Sequence, residues 1–83
     1  MKTMINKLYS MRDRKSGMYG APFASFNNDT AKRDFTAFCN QPSNIYLRDD
    51  MELYYLGEFE TTTGELVSIE KKPEFLCVYE GGI

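Results

Sequence analysis

The residues whose types and spacing could do chemistry are cations set among aromatic rings. Arg12, Arg14 and Lys15 crowd one short polar run, flanked in sequence by Tyr9, Tyr19 and Phe23. Lys32 and Arg33 follow a second polar cluster, and Tyr46 stands beside Arg48. Single-stranded nucleic acid is held by this pairing: cations track phosphates while rings stack on bases, at about 1–3 kcal/mol per base. A structural reading competes with it. Twelve aromatics in a short chain without tryptophan are the natural material of its core, and a basic turn is ordinarily just solvated.

Other chemistries find little support. The sequence has no histidine, which removes the usual general base near neutral pH, His-based triads and His-containing metal sites. Cys39 and Cys77 stand alone, too far apart for a zinc spacing. Cys39 is expected to be a small core residue, with no base to activate its thiol and no disulfide. Asp49, Asp50 and Glu52 lack the spaced oxygen ligands of a cation loop. Gly17 and Gly20 do not open a helix after a strand, so no phosphate-cradling loop is present. The expectation is a non-enzymatic protein with no cofactor and no metal.

The formal net charge of −2 conceals a division. Residues 1–48 carry eight cations against three carboxylates, and residues 49–83 carry two against nine. Such a split could place opposite potentials on two faces of one domain. Alternatively the halves interleave in the fold and their charges pair.

At 83 residues the chain is one domain with a small core. Its apolar runs are too short for a membrane span or a secretory signal. Residues 4–11 alternate as a strand, 12–17 form a polar turn ending in Gly17, and 18–26 return as a second strand. Pro22 cannot donate to a ladder, which places that strand at an edge or gives it a bulge. Asn27, Asn28, Asp29 and Thr30 signal a helix start, and Ala31, Phe35, Phe38 and Cys39 share one apolar face of a helix over 29–40. Pro42 ends it. Residues 41–51 form a polar loop with an Ile45-Tyr46-Leu47 knuckle, buried or binding. Residues 52–60 alternate Leu53, Tyr55, Gly57 and Phe59 against Glu52, Tyr54, Leu56 and Glu58. Residues 61–64 turn, 65–71 return, Phe75–Tyr79 can add a short extension, and 80–83 form a flexible end. The predicted fold is α+β: a ββαββ chain forming an antiparallel sheet of about four strands with one helix packed on one face.

Lys7 to Phe23 also resembles the opening of the small non-structural protein of gokushovirus-type microviruses, tailless phages with circular single-stranded DNA. That family reads LYS-x-x-D-x-K-x-x-x-Y-x-x-P-F. The likeness continues through Asn28-Asp29-Thr30-Ala31-Lys32-Arg33-Asp34-Phe35 and Asn40-Gln41-Pro42-Ser43. It ends in a hairpin running from Tyr54-Tyr55-Leu56-Gly57-Glu58-Phe59 to Thr63-Gly64. The loop before Glu52 is shorter than in relatives. The resemblance implies a phage accessory acting in genome handling in the host bacterial cytoplasm, outside the mature capsid. On that reading the partner is single-stranded DNA, bound weakly, with Arg12, Arg14, Lys15, Lys32 and Arg33 on phosphates and Tyr9, Tyr19 and Phe23 as stacking surfaces. The alternative is an adaptor that engages a host replication protein or phage scaffold through the Pro22 edge strand or the acidic hairpin. A homodimer joined at a sheet edge is compatible with either, and no membrane association is expected.

Overall fold

Alternation over two stretches builds the long strands on which the rest is assembled. A computed structural model describes residues 5–68 and 73–80. Strand β1 (Ile5–Asp13) and strand β4 (Met51–Glu60) pair antiparallel along their whole length at the centre of one sheet. Outside β1 lie two short segments, β2 (Met18–Tyr19) and β3 (Phe23–Ser25). Outside β4 lie β5 (Leu66–Ser68) and β6 (Glu74–Val78). Helix α1 (Asn28–Cys39) crosses from β3 toward β4 over one face. The fold is the expected α+β arrangement of an antiparallel sheet with one helix.

The punctuation of the sequence explains the elements. Gly17 takes a positive φ of 75° and donates its N–H to the Asp13 carbonyl at 2.8 Å, closing the first turn. The predicted strand over 18–26 is instead two segments separated by Gly20-Ala21-Pro22, since proline has no N–H for a ladder. Both segments lie at the sheet edge. Asn27 caps α1: its Oδ1 accepts from the Thr30 N–H at 2.8 Å, while Thr30 Oγ1 accepts from the Asn27 N–H at 3.2 Å. Beyond α1, Pro42–Asn44 and Arg48–Asp50 form single 3-10 turns, and Asn44 Nδ2 ties the loop back to the Phe38 carbonyl at 2.8 Å.

The core lies between α1 and the sheet. Ala31, Phe35 and Cys39 from the helix meet Tyr9, Met51 and Leu53, all buried. A helix of twelve residues is marginal alone, so this apolar face holds it in place. Phe38, expected on the same face, is only half-buried, because it borders a groove between the helix and the β2 corner.

Two irregularities decide which side chains share a face. Between Leu8 and Tyr9 the register jumps from Gly57 to Tyr55, leaving Leu56 as the extra residue of a bulge. Gly57 adopts a φ of 143°, which favours glycine. Directly paired residues project to the same side, so Tyr9, Met11, Leu53 and Tyr55 face the helix while Leu8, Arg12, Glu52, Tyr54 and Phe59 face away. The alternation that grouped Gly57 and Phe59 with Leu53 and Tyr55 is therefore broken. A second bulge at Leu76 brings Phe75 opposite Tyr54. The predicted strand over 65–71 is described only as Leu66–Ser68, and its remaining residues lie outside the described set. So do residues 81–83 of the predicted flexible end.

Candidate nucleic-acid interface

The sheet face opposite the helix carries a row of rings. Tyr19 on β2 meets Tyr54 on β4 with ring centroids 5.3 Å apart at 72°, and Tyr54 meets Phe75 on β6 at 5.7 Å and 73°. These edge-to-face contacts follow from register: Arg12 pairs with both Tyr19 and Glu52, and Tyr54 pairs with Phe75. Tyr19 and Phe75 remain 44% and 50% exposed. Helix α1 covers the other side, so their outer surfaces face solvent.

Arg12 sits within this row. Its Nη1 donates to Glu52 Oε1 at 3.1 Å, and its guanidinium carbon lies 5.9 Å from the centre of the Tyr19 ring. Tyr54 donates its hydroxyl to the same Glu52 oxygen at 3.3 Å. Burial, together with the Glu52 carboxylate, holds the Tyr54 phenol above its usual pKa, so it stays a donor. One rung further, the β1–β2 turn presents Arg14 and Lys15, both exposed. The Arg14 guanidinium donates to the Asp49 carbonyl and its N–H to the Asp50 carbonyl at 2.9 Å, which fixes the turn without neutralising the cation.

The structure corrects several of the expected site residues. Tyr9 is fully buried against Phe23 and Tyr55, at 5.9 and 5.5 Å between centroids, and donates its hydroxyl to Asn28 Oδ1 at 2.8 Å. Its face is closed to a base, and burial raises its pKa. Phe23 pairs with Tyr9 on the helix side and is half-buried, so it too lies off the ring row. Arg12 lies beside the rings, with its charge paired to Glu52.

The five candidate cations do not form one patch. Arg33 lines a cavity of about 300 Å³ with Asn6 and Phe26, at the opposite end of β1 from Arg12. Asn6 and Arg12 are six positions apart along the strand, roughly 20 Å at the usual rise. Lys32 is exposed on α1, on the opposite layer from the rings, and its charge acts on Cys77 instead. Nor do the halves segregate by charge: Lys7 opposes Glu58 and Arg12 binds Glu52 across the central strand pair. The interleaved alternative holds there.

Tyr54 and Phe75 were missing from the expected site. Tyr54 carried a signal, an aromatic on the polar side of an alternating strand. Phe75 carried none, because its place depends on a bulge and a partner far along the chain. The Tyr46–Arg48 pairing is replaced by Arg48 over the Tyr79 ring at 4.7 Å, with Asn40 Oδ1 accepting from both. Tyr46 projects into solvent.

The remaining chemistry is sparse. Both cysteines are free, and burial pushes the Cys39 thiol up to about 11 and raises that of Cys77. Neither is a thiolate at neutral pH. Among the described residues no group of histidine, cysteine and carboxylate side chains is placed to hold a metal. No helix among them is long and apolar enough to cross a membrane.

Fold and surface together define a small two-layer α+β protein with an aromatic sheet face that no other described element covers. The chain belongs to the family described as Phage ORF5 protein, whose profile matches residues 6–80. It is a phage protein. No curated protein and no solved structure matches it.

Proposed function

We propose that this phage protein binds single-stranded DNA weakly, as a non-enzymatic accessory of genome replication or packaging in the bacterial cytoplasm. The observation that carries the reading is the Tyr19–Tyr54–Phe75 row on the uncovered sheet face, with Arg12 within it and the Arg14–Lys15 turn beside it. An antiparallel sheet that displays aromatic rings on its open face is a recurrent platform for single-stranded bases. The turn supplies phosphate contacts next to the rings. Glu52 limits the affinity, since a phosphate must compete with it for Arg12. The resemblance to the non-structural proteins of single-stranded DNA phages agrees with a role in genome handling.

Fluorescence anisotropy of labelled oligo-dT at low salt tests the proposal. Binding in the micromolar range is expected. With Arg14 and Lys15 as the main contacts, log K should fall against log salt with a slope of about −1.4, at about −0.7 per phosphate on a single strand. No binding at high micromolar protein removes the reading.

A further inference from the structure

A second surface lies on the opposite layer, beyond the edge of the ring row. Helix α1 does not reach the β2 corner, and the gap forms a groove of about 670 Å³. Its apolar lining is Met11, Met18 and Met51 with Phe23, Phe38 and Leu47. Met18 is 68% exposed, and Phe38 is only half-buried for the same reason. Methionine-rich concave surfaces adapt to varied apolar side chains, because the thioether chain is flexible and polarizable.

The groove is also acidic at its rim. Asp13 stands on the strand side and Asp34 on the helix side. One oxygen of Asp13 accepts from the Lys15 backbone N–H at 2.9 Å. Among the described residues no cation lies within ion-pair distance of Asp34. Two carboxylates flanking an apolar floor complement a ligand that carries a cation next to a bulky apolar group. They oppose a phosphate chain. The adjacent strand edge adds backbone groups. Gly20 donates its N–H to the Met11 carbonyl, so by antiparallel alternation the N–H and C=O of Tyr19 point outward from the sheet.

We infer that this groove binds a short peptide segment of a partner protein, with an apolar side chain on the methionine floor and a neighbouring Lys or Arg between Asp13 and Asp34. The inference does not depend on DNA binding, which uses the rings of the other face, although Tyr19 borders both surfaces. Apolar pockets beside an available strand edge are a common mode of peptide capture.

The probe is a peptide of alternating leucine and lysine, compared with one bearing glutamate in place of lysine. Binding is read from the methyl signals of ¹³C-methionine-labelled protein. The basic peptide should shift Met11, Met18 and Met51, and the acidic peptide should not. Asp34→Asn should weaken binding by about threefold, the scale of one exposed ion pair. Asp29→Asn, on the first turn of the same helix, should leave it unchanged. Met18→Ala should weaken binding without unfolding the protein, because Met18 is largely exposed. The inference is overturned if both peptides bind equally or if Asp34→Asn has no effect. It is also overturned if oligo-dT moves these three methyls. Concentration-dependent shifts without peptide would assign the groove to a second copy of the chain instead.

Discussion

Replacing Phe75 separates stacking from packing. Half of its surface is exposed, and its inner edge meets Tyr54 at 5.7 Å. If the outer face stacks on a base, losing the ring costs about 1–3 kcal/mol of binding, and half exposure favours the lower end. That is about a fivefold to tenfold rise in Kd. Phe75→Leu is preferred to alanine. It keeps most of the apolar volume, at under about 1.5 kcal/mol of stability, whereas truncation of this half-buried ring would cost about 2 kcal/mol. Tyr46→Leu is the control, since Tyr46 is the most exposed ring and touches no part of the row. Anisotropy titrations with labelled oligo-dT at low salt give Kd, and denaturant melts give stability for each variant. The reasoning is refuted if Phe75→Leu binds like the parent protein, or if Tyr46→Leu loses as much.

The remaining predictions concern charge, core and pH. Lys15→Gln should reduce the salt slope of DNA binding by about 0.7, while Lys32→Gln on the other layer should not change it; titrations at several salt concentrations decide this. Phe35→Ala, which empties a fully buried site, should cost about 3–5 kcal/mol in urea melts, and Phe38→Ala about half as much because it borders the groove. Cys39 gives a pH signature. Its thiol titrates near 11 in the folded protein against an ordinary 9.0, so its contribution is complete below pH 9 and is lost as pH rises toward 11. Melts across that range should show a loss of stability, and Cys39→Ala should reduce it, leaving the part due to Cys77 and the tyrosines whose pKa values burial also raises.

What was legible in the sequence was local. Asn27 and Thr30 announce the helix start because a short polar side chain can satisfy a free amide only there. Pro22 announces the break between β2 and β3 for an equally local reason, a missing donor. Position on a face is not local. The bulge at Leu56 costs one residue of register and turns Phe59 away from the side its alternation indicates. Tyr9 reads the same whether it stacks on a base or on Phe23, and only the helix packed above it decides.

The charge division shows the same limit. Residues 1–48 and 49–83 differ in sign, yet their longest strands are each other's central partners, so Glu52 neutralises Arg12 and Glu58 opposes Lys7. Among the described residues, the cations off the β1–β4 ladder lie at the Arg14–Lys15 turn, on the helix and at Arg48 in the loop that follows it. A ligand drawn to this protein by charge is therefore drawn to a corner, and the corner beside the rings is the turn. If single-stranded DNA is that ligand, as proposed, Arg14 and Lys15 set where it arrives, and Tyr19, Tyr54 and Phe75 set what it can stack against.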